Sequence, residues 1–217
     1  MATSHFEEPP LDCPRCPRLV AFLDELRVLH PDWKNAPVRS FGTLDARLLI
    51  LGLAPGMRGA NRTGRPFTGD YAGDLLYSTL LKFGFAIGTF GADPADGLRL
   101  VDCRIANAVR CLPPENKPTP AEFTACRPFL LTEIAAMTKA KAVLALGKGA
   151  HDQILRALAV RPAGAYPFIH GRLHTLPNGL LLADSYHCSR YNTNTRRLTT
   201  EMFHDVFAGI RRVLPAT

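Results

Sequence analysis

The sequence lacks long apolar runs, a targeting segment and internal repeats. No apolar run in the 217 residues approaches the roughly 18 residues that a membrane-spanning helix needs. The N-terminal segment MATSHFEEPPLDCP has no basic start followed by an apolar stretch, so we expect no signal peptide. These absences exclude a membrane-spanning protein and a repeat protein. We therefore expect one cytoplasmic domain over residues 1–217, with no membrane partner.

Basic residues outnumber acidic residues in this sequence. The net charge is +7 and the isoelectric point is about 9.3, which fits a polyanionic partner without requiring one. The position of the arginines is more informative than their number, because they gather in two polar segments. These arginines are Arg58, Arg62 and Arg65 in the first segment and Arg190, Arg196 and Arg197 in the second.

Apolar patterning predicts strands that alternate with helices. Helices are predicted over residues 16–30, 73–83, 120–138, 147–160 and 199–214, and strands over 46–51, 101–108, 142–146 and two short stretches within 173–184. Residues 85–97 are predicted to be a loop. Such alternation favours an α/β fold, a three-layer αβα sandwich with a short, mostly parallel central sheet.

Residues 52–70, GLAPGMRGANRTGRPFTGD, form a glycine-rich loop directly after the first predicted strand. Parallel sheets place ligands at the ends of such strands, and the arginines of the loop indicate an anionic ligand. Two further polar segments, 107–111 and 185–192, also follow predicted strands. We therefore predict that Asp70, Asn107 and His187 converge at one edge of the sheet.

The six cysteines are expected to be reduced in a cytosolic protein. Cys13 and Cys16 form a C-x2-C pair, and Cys111 and Cys126 are a second candidate pair. Two such pairs can hold zinc or a [4Fe–4S] cluster, although four unrelated thiols are an equal alternative. Cys103 is interpreted as a buried core thiol.

Four features together carry a resemblance to a known family: GLAPG with GANRTGRPFTGD (52–70), NAVRC with NKPTPAE (107–122), the paired cysteines, and HCSRYNTNTRRLT (187–199). The chain resembles the type-b uracil-DNA glycosylases, family 5 of the uracil-DNA glycosylase superfamily, over nearly its whole length. It departs from that family at Arg58, Cys188 and Tyr191, where the family usually has His, Pro and often Gln.

The resemblance implies a monofunctional glycosylase that excises uracil from DNA in base excision repair, with other deaminated bases left open. No lysine near these motifs suggests a Schiff-base lyase step. The resemblance also favours a [4Fe–4S] cluster over zinc and assigns its ligands as Cys13, Cys16, Cys111 and Cys126. Two alternatives remain: a non-catalytic nucleic-acid-binding module with a metal staple, and a small-molecule enzyme with a phosphate-binding loop.

Within the resemblance, each candidate residue has an expected role. Asp70 orients the attacking water, because Ala54 occupies the place where many uracil glycosylases have an acid or amide. Asn107 pairs with the uracil edge, His187 donates to uracil O2, and Phe67 stacks on the base. Plainer readings are a helix cap for Asp70, a turn residue for Asn107 and a core ring for Phe67. The backbone near the base is expected to come from Gly52, Leu53 and Ala54.

A second group of residues is expected to hold the DNA on either side of the flipped nucleotide. Arg62, Arg65, Ser189 and Arg190 are predicted to contact phosphates, and Tyr191 is predicted to wedge into the vacated stack. The alternative for any single arginine is a solvated charged rim. We expect a monomer, which suits a protein that scans DNA.

Overall fold

A computed structural model describes residues 6–216. Residues 1–5 and Thr217 lie outside the described residues, and residues 1–5 belong to the segment that was predicted to hold no signal peptide. Seven strands are found in this part of the chain: β1 (Leu48–Gly52), β2 (Ala86–Ile87), β3 (Arg99–Leu100), β4 (Cys103–Asn107), β5 (Ala142–Leu146), β6 (Leu173–Thr175) and β7 (Leu181–Ser185). Five of them form the central sheet in the order β4-β1-β5-β7-β6. Only β6 runs antiparallel to its neighbour in this sheet. The mostly parallel sheet that the sequence predicted is confirmed.

Helices cover both faces of the sheet. They are α1 (Pro17–Leu29), α2 (Tyr71–Lys82), α3 (Pro120–Ala136), α4 (Lys148–Ala157), α5 (Arg190–Asn194) and α6 (Thr200–Val213). Successive side chains of a strand point to opposite faces. Leu48 and Ile50 of β1 therefore pack against α2 and α6, whereas Leu49 and Leu51 pack against α3 and α4. The two resulting cores make the three layers of an αβα sandwich.

The helix starts that the sequence indicated are stabilised by side-chain caps. Thr119 Oγ1 accepts a hydrogen bond from Glu122 N at 3.3 Å, and Glu122 Oε2 accepts one from Thr119 N at 2.7 Å. This reciprocal capping box, with Pro120 in the first turn, begins α3 where it was predicted. Thr199 likewise accepts a hydrogen bond from Met202 N at 3.2 Å and begins α6.

Several element bounds differ from the predicted ones. Helix α2 begins at Tyr71 rather than near Gly73, because Asp70 already occupies the N-cap position. The predicted loop 85–97 contains β2, which pairs with β3 just beyond it. Helix α5 was not predicted, since five residues are too few for a periodic pattern, and Ser189 caps it by accepting from Asn192 N at 3.4 Å. Short elements of this kind depend on partners distant in sequence.

No helix in residues 6–216 combines the length and apolar character that a membrane span requires. The cytoplasmic location, the monomeric state and the single domain stay predictions.

Candidate active site

The polar segments after the parallel strands meet at one cavity, as the sequence predicted. Strands β1, β4 and β7 end at Gly52, Asn107 and Ser185, and the loops that follow them enclose a cleft of about 600 Å³. This size is typical of a small-molecule or base-binding site. The predicted site residues that line the cleft are Leu53, Ala54, Phe67, Asp70, Asn107, His187, Ser189 and Arg190.

Asp70 lines this cleft and also faces the first N–H groups of the helix that it precedes. It is the N-cap residue of α2, yet its side chain makes no capping hydrogen bond. The Oδ2 atom lies against Gly56 and Gly59, where a Cβ on either glycine would crowd it. The Oδ1 atom is buried and has no hydrogen-bond partner among the described residues. The capping role alone therefore does not account for Asp70.

The Asp70 carboxyl has an environment that makes it a stronger base. Burial raises its pKa above the ordinary value of 3.8, while the backbone N–H groups of Gly73 and Ala72 lower it and offset part of that rise. The negative charge of Asp74, one helical turn further on, adds a smaller upward shift. A carboxylate held this way can orient a water molecule and accept hydrogen bonds from it.

Asn107 ends β4 with its amide facing the cleft. Its side chain is 3% exposed, and its Oδ1 atom is another buried atom without a hydrogen-bond partner in residues 6–216. A buried amide without a partner is costly, so such a group indicates a ligand that supplies the missing bond. Gly52 leaves room for it, because a Cβ there would overlap Oδ1 of Asn107 and lie 2.8 Å from Cζ of Phe67.

Phe67 and His187 form the aromatic side of the cleft. Their ring centroids are 5.9 Å apart and their planes are inclined by 31°. Phe67 has a backbone φ of 51°, an uncommon left-handed conformation for a bulky residue. Strain of this kind persists only where the surrounding structure enforces it, and it concentrates at functional sites.

His187 is held as a neutral imidazole. Burial lowers the pKa of His187 from 6.5 to about 4. The backbone of this residue is fixed because Asn192 Nδ2 donates to the carbonyl oxygen of His187 at 2.8 Å. At neutral pH the ring therefore carries one N–H donor and no charge.

The rim of the cleft carries most of the residues expected to touch DNA. Ser189 and Arg190 line the opening, and the Arg190 guanidinium lies 5.3 Å from the ring centroid of Tyr71. Tyr191 is 72% exposed, which leaves its ring free to contact a partner. Arg62 is also exposed, with its Nε donating to the Arg58 carbonyl at 2.8 Å.

Arg65 is the exception to the predicted DNA contacts. Its side chain is 6% exposed and makes two hydrogen bonds to Asp96, of 2.8 and 2.6 Å. A guanidinium buried in this way does not reach a phosphate at the surface. The prediction that Arg65 contacts a phosphate does not agree with this burial.

Three further residues with polar or aromatic side chains line the cleft although the sequence did not single them out as site residues: Arg58, Tyr71 and Asn116. Asn116 and its neighbour Glu115 both have positive φ, at 56° and 55°. Asn116 therefore lines the cleft from a turn of two successive left-handed residues. The asparagine in NKPTPAE, within a proline-rich turn, was the feature that could have indicated it.

The four predicted metal-binding cysteines lie around one small cavity away from the cleft. Cys13, Cys16, Cys111 and Cys126 line this cavity between the start of α1, the segment after β4 and α3. Burial raises the pKa of the Cys16 thiol to about 11, and it also raises the pKa values of the Cys111 and Cys126 thiols. Proximity of the other thiols adds to each of these shifts. Four thiolates so placed repel one another unless a cationic group binds between them.

The thiols around this cavity have the chemistry of a cluster-binding donor set. A [4Fe–4S] cluster binds four separate cysteine thiolates, and zinc uses the same kind of ligand. No group of three or more His, Cys, Asp or Glu side chains in residues 6–216 is arranged to hold a metal ion. The four cysteines therefore fit the cluster by the type of their donor atoms.

Comparison with known proteins defines the class of protein to which this fold and cleft belong. The family model described as "Uracil DNA glycosylase superfamily" matches residues 39–211. A type-5 uracil-DNA glycosylase of Thermus thermophilus is 44% identical over 207 residues, 93% of each chain.

Two further relatives carry the same description. The type-5 enzyme of Mycobacterium bovis is 41% identical over 209 residues (93% of this chain and 78% of the relative), and that of Pyrobaculum aerophilum is 36% identical over 200 residues (90% and 86%). The chain therefore belongs to the uracil-DNA glycosylase superfamily and, within it, to the type-5 glycosylases.

Proposed function

We infer that this protein is a monofunctional glycosylase that removes uracil from DNA, leaving an abasic site in the first step of base excision repair. The observation that carries the inference is the gathering of Asp70, Asn107, His187 and Phe67 around one cleft. The family to which the chain belongs supports the same reaction. A target base must leave the duplex to reach such a cleft, so base flipping is part of the mechanism.

Recognition of the base uses the groups on two sides of the cleft. The ring of Phe67 provides a stacking face, which contributes roughly 1–3 kcal/mol per base without reading its identity. The Asn107 amide supplies an acceptor for uracil N3–H and a donor for O4. That pattern suits uracil and opposes cytosine, which presents the reverse pattern at both positions.

Departure of the base leaves negative charge on it, and His187 is suited to stabilise that charge. As a neutral imidazole it donates one N–H to uracil O2, and the bond strengthens as the glycosidic bond breaks. Loss of a comparable donor typically costs about 2.7–4 kcal/mol of barrier.

The second half of the reaction is attack by water on the sugar. The Asp70 carboxylate, with Oδ1 buried and unpaired within the described part of the chain, orients this water and offsets the positive charge that develops on the sugar. Ala54 cannot take that role, although it lines the same cleft. Asn116 lines the same cleft and is proposed to assist in holding the water or the sugar.

Binding of the DNA is proposed to use the rim. Ser189, Arg190 and Arg62 contact phosphates on either side of the flipped nucleotide, and Tyr191 enters the gap that the base leaves. Phosphate contacts position the duplex without reading its sequence. Uracil is therefore selected inside the cleft and not at the rim.

The test is excision from a duplex that contains one uracil, followed by alkaline cleavage of abasic sites under single-turnover conditions. We expect product with the wild-type protein, and a loss of roughly 10²–10⁴-fold with Asp70→Asn at unchanged DNA affinity. Asp74→Asn is the matched control, because Asp74 is an exposed carboxylate one turn away. A binding module without catalysis would yield no product with any of the three proteins.

We also propose that Cys13, Cys16, Cys111 and Cys126 hold a [4Fe–4S] cluster. When bound, the cluster would serve as a structural staple that ties the segment before α1 to the connection between β4 and α3. Arg110 N already donates to Cys126 Sγ at 3.3 Å, as expected for an amide beside a cluster thiolate. This staple lies beyond the end of β4, the strand that carries Asn107.

Iron and sulfide analysis of the purified protein tests the cluster. We expect a brown protein with about four iron atoms per chain, and loss of colour and of thermal stability with Cys126→Ser. Cys103→Ser is the matched control, since Cys103 is a buried thiol on β4 outside the cysteine cavity. A colourless protein that contains stoichiometric zinc would contradict the proposal.

A further inference from the structure

Arg65 and Asp96 form a buried ion pair beside the cleft that the proposed mechanism does not use. Their side chains are 6% and 5% exposed. The guanidinium carbon lies 5.3, 5.4 and 5.8 Å from the ring centroids of Phe41, Tyr77 and Phe90. The pair is therefore enclosed by aromatic rings, and burial in such a place is costly unless the geometry is well defined.

The acidic partner is fixed from the other side. Asp96 accepts hydrogen bonds from the backbone N–H groups of Gly91 at 2.9 Å and Leu98 at 3.0 Å. The Arg65 guanidinium and these N–H groups hold the pKa of Asp96 well below its usual range. The 90–98 segment thereby holds the Asp96 carboxylate in a fixed position, where it binds Arg65.

Arg65 transmits this constraint to the loop that carries Phe67. Its Nε donates to Thr68 Oγ1 at 2.7 Å, and Thr68 Oγ1 in turn donates to the Pro66 carbonyl at 3.1 Å. The Tyr77 hydroxyl donates to the same carbonyl at 2.7 Å. The residues immediately before and after Phe67 are thus both held by the arginine or by the rings around it.

The conformation that these bonds hold is a strained one. Phe67 has a φ of 51°, and the packing on its carbonyl is so close that a Cβ on Gly73 of α2 would overlap it. In this conformation the Phe67 ring centroid lies 5.9 Å from that of His187, and the ring packs beside Gly52 at the end of β1. The left-handed conformation therefore needs an external constraint, and the arginine pair supplies one.

We propose that Arg65 and Asp96 are a positioning pair for the base-stacking ring of Phe67. The inference rests on the proposed uracil excision. Arg65 then acts on the position of the Phe67 ring inside the cleft, whereas the sequence indicated a contact with a DNA phosphate. The pair also makes the 90–98 segment, which contains no residue of the cleft, a determinant of how the base is stacked.

The experiment measures single-turnover uracil excision and DNA affinity for Asp96→Asn and Arg65→Met, each in the wild-type and the Phe67→Leu background. Asp96→Asn is nearly isosteric and removes the charge, so it serves where Arg65→Met fails to fold. We expect each change to lower the excision rate by roughly 10- to 100-fold, because a small misplacement of a reacting group has effects of that size. DNA affinity and its salt dependence should stay at the wild-type values.

Comparison of the wild-type and Phe67→Leu backgrounds shows whether the loss of excision rate acts through the Phe67 ring. In Phe67→Leu the same substitutions should cost less than a few-fold, since mutations that act through one group are not additive. Asp102→Asn is the matched control. It breaks the partly buried Arg47–Asp102 ion pair at the opposite end of the sheet and should leave the excision rate unchanged.

Two results would contradict the positioning role of Arg65 and Asp96 without contradicting the proposed uracil excision. One is an equal loss of rate in both backgrounds. The other is weaker DNA binding with a shallower salt dependence, which is the signature of a phosphate contact. Absence of excision by the wild-type protein would instead overturn the proposed function itself.

Discussion

Substitution of Gly59 by alanine is expected to displace the Asp70 carboxylate without removing it. A Cβ at Gly59 would overlap Oδ2 of Asp70, lie 2.6 Å from its Cγ and lie 3.1 Å from its Cβ. Since ordinary contacts begin near 3.4 Å, the carboxylate has to withdraw by about 1 Å, and misplacement of a reacting group by that distance can cost roughly 100-fold. That factor corresponds to about 2.7 kcal/mol of barrier.

Alanine substitutions at two other glycines, Gly56 and Gly164, should displace the Asp70 carboxylate to a smaller extent or not at all. At Gly56 a Cβ would lie 2.8 Å from Oδ2 of Asp70 and at an ordinary 3.9 Å from its Cγ, so the required movement is smaller. At Gly164 nothing lies within 4 Å, which makes Gly164→Ala the matched control. We therefore expect the excision rate to fall in the order Gly164→Ala, Gly56→Ala, Gly59→Ala, with the control equal to wild type.

The assay is single-turnover excision from a uracil-containing duplex at saturating enzyme, with folding of each variant checked by thermal unfolding. Saturation removes any effect on DNA binding, so the rate reports the chemical step. A folded Gly59→Ala protein that excises uracil within a few-fold of the wild-type rate would refute the argument, because the position of the carboxylate would then not limit the reaction.

Three further predictions concern charge. Burial raises the pKa of Asp70 above its ordinary value, so excision should be lost as the pH falls through that raised pKa; a pH–rate profile whose acidic limb persists unchanged in Asp70→Asn would contradict this. Arg190→Gln should weaken DNA binding for all sequences and lower the salt slope by about one, as measured by titration at several salt concentrations. Burial lowers the pKa of His151, but its 2.7 Å hydrogen bond to Asp184 and the charge of that carboxylate outweigh this and raise it. The pair therefore stabilises the fold fully below the unfolded pKa of about 6.5 and loses this contribution as the pH rises through the folded pKa, so urea unfolding of His151→Gln should show a weaker decline of stability above pH 6.5 than wild type.

The sequence predicted the fold where local chemistry decides it. The capped starts of α3 and α6 follow from Thr119 and Thr199, whose hydroxyl groups bond the next turn. Buried strands are short apolar runs between turn residues, so their existence was readable although their ends shifted by one or two positions. Strands β2 and β3 were not readable as a pair, because two-residue strands exist only through each other.

The cleft was predicted because topology brings the carboxyl ends of parallel strands together. The places of Asn107 and His187 follow from that rule, whereas Asp70 reaches the cleft from the N-cap of α2. The burial of Arg65 does not, since it depends on the 90–98 segment folding back to bring Asp96 alongside. Asn116 was missed for a similar reason, because its place beside the cleft depends on a turn of two successive left-handed residues.

The glycine-rich loop first indicated a site for an external anion, and its geometry gives the glycines a different use. Gly56 and Gly59 make room for Asp70, a carboxylate of the chain itself. The carboxylate reaches the cleft from the N-cap of α2 and not from the end of β1, where Ala54 stands. At a helix N-terminus the free N–H groups and the helix dipole favour the ionised form, which opposes the upward effect of burial on the pKa. The N-cap position thus favours the ionised carboxylate, which is the state that orientation of water requires.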